Sequence, residues 1–256
     1  MLASAGLTER RRVPALLIAL VGLTGVAGGA IAAVSGFGIG SLLTPVLAVE
    51  LGTKVAVALV SIPHLAATAV RLWMLRRSVD LGVLRTFGLA SAAGGLAGAL
   101  LHAFVSSPLL SVALGLLLVL SGLVAFLDAG ERLALRGPWA VAEGVLSGVF
   151  GGLAGNQGGI RSAALVHYRL DRRAFVATAT ASGVIVDLAR VPVYMVTSGP
   201  ELAERWSLVA FMIGAVLVGT VAGAPLLRRI PEGTFRRLVA LLIVGLGLGL
   251  IAGLAG

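Results

Sequence analysis

The sequence contains no cysteine, which excludes disulfide bonds, thiolate metal sites and cysteine-based catalysis. Charged residues are also scarce at 12%, whereas hydrophobic residues make up 58% of the 256-residue chain. Soluble domains carry about twice that charged fraction. Charge-free stretches cover residues 13–49, 86–127, 207–227 and 238–256, and a membrane-spanning helix needs about 20 apolar residues. The sequence therefore predicts an all-α polytopic membrane protein.

Catalytic and nucleotide-binding motifs are missing as well. The sequence has no H-E-x-x-H, no G-x-S-x-G and no Walker loop. The glycines from Gly36 to Gly40 lack the strand–helix context of a dinucleotide site. We therefore predict no enzyme activity, no cofactor and no metal site. The net charge of +9 reflects arginines in short loops between spans, which is the usual orientation signal of membrane proteins, so we expect no nucleic-acid partner.

The apolar segments form two similar halves, which we take as residues 1–128 and 129–256. Each half begins with an apolar segment that glycines interrupt, at residues 13–51 and 138–169. Both halves then continue with one long span, a charged loop and two more spans. The predicted spans are residues 54–75, 82–104, 108–127, 173–197, 207–227 and 237–255. The order of elements thus predicts two repeats of one membrane unit.

Loop charge favours a helical hairpin for each glycine-broken segment. If each hairpin leaves the membrane on the side from which it enters, most basic residues outside the spans share one side of the membrane, as the positive-inside rule requires. That side holds Arg76, Arg77, Arg85, Arg132, Arg136, Arg169, Arg172, Arg173, Arg228, Arg229, Arg236 and Arg237, and the other holds Arg10, Arg11, Arg12, Lys54 and Arg205. Three full spans remain in each half, so we predict inverted repeats with both termini outside. Residues 13–34 are long enough to cross alone, so full spans stay an alternative.

The two glycine breaks predict a binding site at mid-membrane. Backbone freed from a helix at membrane depth must be buried or must line a wet cavity, and matched breaks in two halves indicate the site of a secondary transporter. The short helices after the breaks would begin near Ser41 and Ile160 and direct their free N–H groups at an anion. The alternative is that the glycines only permit close helix packing. The predicted substrate-binding residues are Gly36, Gly38, Gly40, Ser41, Asn156, Gln157, Gly158, Gly159, Arg161 and Arg190.

A few ionisable side chains lie inside the predicted spans, where charge is costly and usually paired or functional. Asp187 and Arg190 are three residues apart near the centre of span 173–197. They either pair with each other, or Arg190 meets an anionic substrate while Asp187 holds it or carries a coupling proton. His64 either bonds a backbone carbonyl or relays protons. Arg71 lies near a span end and is expected to extend its charged group to the membrane surface, and the alternative is that it belongs to the site.

The stretch from Ser35 to Leu47, SGFGIGSLLTPVL, with Gly52 and an Ala-rich span to Arg71, resembles the TauE/SafE sulfite exporter family of bacterial membrane proteins. The resemblance covers nearly the whole chain and implies duplicated halves that each open with a glycine-rich segment. The second motif departs from the family pattern, because Asn156-Gln157-Gly158-Gly159-Ile160-Arg161 stands where further glycines and a proline are usual. By position, the resemblance assigns the first-motif glycines and residues 156–159 to the site, and it implies export of sulfite, organosulfonates or other small anions.

Together, these features predict an α-helical carrier in the bacterial inner membrane that exports a small sulfur-containing anion by alternating access. Its expected partners are the anionic substrate and the lipid bilayer, and the sequence leaves a homodimer open. One alternative is a proton-coupled carrier of another small anion, or of a cation with Asp187 as counter-ion. Another alternative is a membrane assembly protein that transports nothing.

Overall fold

The computed structural model describes residues 15–127, 139–166, 168–223, 225 and 231–253. All regular elements in these ranges are helical and none is a strand, which confirms the all-α prediction. The helices are α1 Ala15–Ser35, α2 Ile39–Leu51, α3 Thr53–Leu75, α4 Leu81–Phe104, α5 Ser107–Phe126, α6 Trp139–Ala154, α7 Gly158–Val166, α8 Arg172–Thr197, α9 Gly199–Glu204, α10 Trp206–Val218 and α11 Glu232–Ile251. A π-helical turn, Gly219–Gly223, continues α10.

Five helices of the described ranges are long and apolar enough to cross a membrane, namely α1, α3, α4, α5 and α8. Four of them match predicted spans. The predicted spans 207–227 and 237–255 correspond to shorter apolar helices, Trp206–Ala222 and Arg237–Ile251. Of the basic residues in the topology argument, those outside the described residues are Arg10, Arg11, Arg12, Arg132, Arg136, Arg228 and Arg229.

Hydrogen bonds between helices mark the two ends of the bundle. At one end, the Lys54 backbone N–H donates to Ser107 Oγ, and Lys54 Nζ donates to the Ala103 carbonyl at 2.6 Å. At the other end, the Asp80 backbone N–H donates to Thr178 Oγ1 at 2.9 Å. We call these the Lys54 end and the Asp80 end. Helix α3 runs from the Lys54 end to the Asp80 end, and α8 runs back beside it.

The second glycine-broken segment is a hairpin that opens toward the Asp80 end. Helix α6 runs in the same direction as α4, because positions further along α6 contact positions further along α4. An added Cβ at Gly144 would lie 2.8 Å from the Phe87 carbonyl oxygen, and one at Gly152 would collide with the Gly95 carbonyl oxygen. Helix α7 then returns, since Leu165 packs with Phe87 in one buried cluster. Both arms of this hairpin therefore reach the same end of the bundle.

The first glycine-broken segment is a hairpin that opens toward the Lys54 end. Helix α10 starts at that end, and α1 runs alongside it, with Gly22 against the ring of Phe211 and Gly29 against the end of α10. Helix α2 returns and ends at Gly52, beside the Ser107 side chain. The two hairpins thus enter from opposite ends. Inverted repeats would give this arrangement. The inverted repeats and the division of the chain at residue 128 stay predictions.

Glycine contacts hold the two halves together. An added Cβ on Gly148 of α6 would collide with the Ser91 carbonyl oxygen of α4, and one on Gly219 with the Val26 carbonyl oxygen of α1. Small residues let membrane helices approach this closely, where dispersion and close packing replace the hydrophobic effect. The long arm of each hairpin therefore packs against the third element of the opposite half, α6 on α4 and α1 on α10.

Candidate functional site

The breaks between the hairpin arms need glycine at three positions. Gly36 has φ of 84°, Gly38 of 136° and Gly155 of 73°, conformations that side-chain-bearing residues rarely adopt. Gly40 differs from these three glycines, because it lies inside α2. Gly40 is instead a site of close approach, since an added Cβ would lie 2.6 Å from the Gly155 carbonyl oxygen.

The helices that follow the breaks begin two residues earlier than predicted, at Ile39 and Gly158. Glycine has a low intrinsic helix propensity, so the prediction from the sequence placed the first residue of both helices too late. The close packing of Gly158 against Phe37 of the opposite tip leaves no room for a side chain at this first helical position.

The two hairpin tips meet in the interior of the protein. Ser41 Oγ donates to Asn156 Oδ1 at 3.3 Å, and Arg161 Nη2 donates to the Gly36 carbonyl at 3.0 Å. From this crossing, α2 runs toward the Lys54 end and α7 toward the Asp80 end. The N-termini of both helices, with their unpaired N–H groups and positive dipole ends, therefore face each other.

A small cavity lies at the crossing, with room for about one water molecule. It is lined by Phe37, Gly38, Gly40, Ser41, His64, Gly155, Asn156, Gln157, Gly158, Arg161 and Arg190. Nine of the twelve site residues expected from the sequence are among these. The other three are Gly36, which accepts the Arg161 bond, Asp187, which bonds His64 and Arg190, and Gly159, which packs on the Ser121 side chain and lines a larger, mainly apolar cavity.

Hydrogen-bond donors at the crossing lack acceptors. Asn156 and Gln157 are the only asparagine and glutamine of the chain, and they are 6% and 5% exposed. Four donors, Asn156 Nδ2, Gln157 Nε2 and Nε and Nη1 of Arg161, and one acceptor, Gln157 Oε1, are buried and have no hydrogen-bond partner among the described residues. Buried polar groups are nearly always satisfied in folded proteins, so such a cluster requires an explanation. A ligand that accepts hydrogen bonds would satisfy it.

Asp187 is the centre of a buried ion network beside the cavity. Its Oδ2 atom is 2.6 Å from His64 Nδ1 and accepts a bond from Thr68 Oγ1 at 3.3 Å. Its Oδ1 atom accepts from Arg190 Nε at 2.9 Å and lies 2.8 Å from Arg190 Nη2. Arg190 Nη1 also donates to the Gly151 carbonyl at 2.6 Å. The pairing of Asp187 with Arg190 is therefore present, and His64 bonds this carboxylate rather than a backbone carbonyl.

A family model described as sulfite exporter TauE/SafE matches residues 21–250 of the chain. The chain belongs to the TauE/SafE sulfite exporter family. No curated protein and no solved structure matches it. The TauE/SafE match, together with the apolar helices, indicates a multi-pass membrane transporter of sulfur anions. TauE/SafE is a transporter family, which agrees with the prediction of no enzyme activity.

Arg71 belongs, with Arg161, Asp187 and Arg190, to a buried charged cluster of this TauE/SafE protein. The prediction that Arg71 reaches the membrane surface is therefore wrong. It is 3% exposed, and its Nε donates to Thr180 Oγ1 at 2.8 Å. The sequence did carry a signal that we missed. His64, Thr68 and Arg71 follow an i, i+4, i+7 pattern, which places all three on one helix face.

The cluster holds an excess of positive charge. Arg71, Arg161 and Arg190 are each buried to 3% exposure or less, and Asp187 is the carboxylate that pairs with one of them, Arg190. Within the described ranges, neither Arg71 nor Arg161 forms a salt bridge with a carboxylate. A buried charge is costly unless it is paired and hydrogen-bonded. Within the described ranges, the buried interior of this TauE/SafE protein therefore carries two arginines that no carboxylate pairs with.

Proposed function

We propose that this protein exports a small sulfur oxyanion, sulfite or an organosulfonate, across the inner membrane of a bacterium by alternating access. One observation supports this most strongly. Two helix N-termini oppose each other across a buried cavity, and Asn156, Gln157 and Arg161 in its lining present donors that have no partner among the described residues. Such donors match an anion with several acceptor oxygens.

The chemistry of each donor suggests its role. Arg161 presents two unpaired nitrogens, Nε and Nη1, which suit the two-point geometry of an oxyanion. Asn156 Nδ2 and Gln157 Nε2 would bind the remaining oxygens without adding charge. Arg190 lines the cavity while Asp187 fixes its orientation. Ser41 and the backbone of Gly38, Gly40 and Gly158, which line the same cavity, complete the proposed site.

Transport requires the closed cavity to open alternately to each end. Because the hairpins enter from opposite ends, rocking one half against the other would expose the crossing to one side at a time. An inside-negative potential favours outward movement of an anion by about 2.3 kcal/mol per charge per 100 mV. Export therefore needs no coupled ion. If a proton is coupled, His64 and Asp187 are the proposed carriers.

The environment of Asp187 weighs against a cation carrier. A counter-ion for a cation needs free carboxylate oxygens, whereas both oxygens of Asp187 are already engaged by His64, Thr68 and Arg190. The excess charge around the cavity is also positive, which would repel a cation.

The proposal is tested by thermal stability of the purified protein with sulfite, thiosulfate, sulfate, taurine, sulfoacetate, acetate or chloride. A ligand that binds only the folded state raises apparent stability by about 2.7 kcal/mol at 100 times its Kd. We expect one sulfur anion to raise the Tm selectively, and we expect Asn156→Ala to lose this increase in Tm. Ser61→Ala is the matched control, because Ser61 is buried but bonds only its own helix. No shift with any anion would refute the proposal.

A further inference from the structure

One face of α8 carries a row of charged contacts beyond the cavity. Thr180, Gly183, Asp187 and Arg190 follow an i, i+3, i+7, i+10 pattern and share this face. Thr180 accepts the bond from Arg71, and an added Cβ at Gly183 would lie 3.0 Å from Arg161 Nη1. The three arginines thus follow one another along about 15 Å of helix, at about 1.5 Å per residue.

Within the described ranges, Arg71 and Arg161, the two arginines of this row nearest the Asp80 end, form no salt bridge with a carboxylate. Thr180 and Gly183 are one helical turn apart, so the guanidinium groups of Arg71 and Arg161 meet the same face of α8 at neighbouring positions. Among the described residues, Arg71 Nη1 is buried without a hydrogen-bond partner, as are Nε and Nη1 of Arg161. Asp187 lies one turn further along and is occupied by Arg190.

Two buried like charges are stable side by side only if something negative joins them. The helix supplies no carboxylate at this level, and the unpaired nitrogens come from two different helices, Arg71 from α3 and Arg161 from α7. An anion between them would accept hydrogen bonds from both guanidinium groups and cancel their repulsion.

We propose that Arg71 and Arg161 form a second binding station for the transported oxyanion, between the hairpin crossing and the Asp80 end. The station rests on the proposed function, because its ligand is the same anion. Arg161 stands between the two positions, so an anion leaving the crossing toward the Asp80 end finds its next partner in Arg71. With two anions bound, Arg161 would donate one of its two unpaired nitrogens to each, and the crossing retains Asn156, Gln157 and Arg190 for the other anion.

The test is equilibrium binding of ³⁵S-sulfite to the purified full-length protein in chloride-free buffer. Wild type is expected to bind two sulfite ions per chain at saturation, and Arg71→Gln one. Arg71→Lys keeps the charge and is expected to bind two sulfite ions. This variant controls for the possibility that Arg71→Gln loses a sulfite ion because it does not fold. Arg77→Gln removes the same charge from an exposed position just past the end of α3 and is expected to leave two.

The outcomes separate the two proposals. One sulfite per chain in wild type, or two in a folded Arg71→Gln protein, would overturn the second station and leave the site at the crossing in place. No sulfite binding by wild type would overturn the proposed function and the second station together.

Discussion

Replacing Asp187 by asparagine removes the one carboxylate of the charged cluster at nearly constant volume. In the wild type, this carboxylate has contacts of 2.6 Å to His64 and 2.8 Å to Arg190, with neither oxygen free. Asparagine can accept through one oxygen only, and it carries no charge to neutralise Arg190. Its oxygen can accept from Arg190 or from His64 but not from both, and if it faces His64, the Gly151 carbonyl is the remaining acceptor of Arg190.

The expected cost follows from burial. Asp187 is 0% and Arg190 2% exposed, and removing one partner of a buried ion pair typically destabilises a protein by about 3–5 kcal/mol. For a chain of this size, that corresponds to a fall in Tm of about 10 °C. The variant also gains positive charge around the cavity, so its affinity for sulfite is expected to hold or to rise.

Thermal unfolding of Asp187→Asn with and without sulfite measures both effects. We expect a lower Tm that sulfite restores in part, because the anion replaces the missing negative charge. Arg190→Gln is the comparison, and it is expected to bind sulfite more weakly. If Asp187→Asn abolishes ligand binding while Arg190→Gln spares it, the anion site is refuted and a cation carrier is favoured.

Three further predictions concern the glycine contacts, the tip backbone and the topology. Gly148→Val is expected to destabilise the protein by about 1–3 kcal/mol through overpacking, whereas Gly214→Ala, with nothing within 4 Å of the added Cβ, should leave Tm unchanged; equal Tm values would contradict the close packing. Gly155→Ala forces a side chain into φ of 73°, and is expected to cost about 1–2 kcal/mol and to reduce the Tm shift with sulfite; an unchanged shift would argue against a role of this tip in binding. In intact cells, an impermeant thiol reagent should label Glu50→Cys at the Lys54 end but not Arg77→Cys at the Asp80 end, and the reverse labelling would refute the proposed orientation.

The spans α3, α4, α5 and α8 were predictable because length and hydropathy alone decide whether a segment crosses a membrane. The hairpins followed from loop charge, and the paired glycine breaks pointed to the cavity at the crossing. These signals are local in sequence or depend on composition, so a single chain reveals them.

The missed features depend on contacts between distant segments. The burial of Arg71 is set by Thr180 on another helix, and its position near a span end gave no hint of that partner. The early start of α7 at Gly158 follows from packing against Phe37. The sequence also did not show that His64 would meet Asp187, because the pairing depends on how α3 and α8 are placed side by side.

The most direct test of the proposed function is uptake and release of ³⁵S-sulfite by proteoliposomes that contain the purified protein, under an imposed membrane potential. We predict saturable sulfite flux toward the positive side, and lower flux of sulfate and acetate. Asn156→Ala is expected to abolish the sulfite flux, and Ser61→Ala is expected to preserve it. Absence of protein-dependent sulfite flux, or equal flux through Asn156→Ala, would contradict transport through the site at the hairpin crossing.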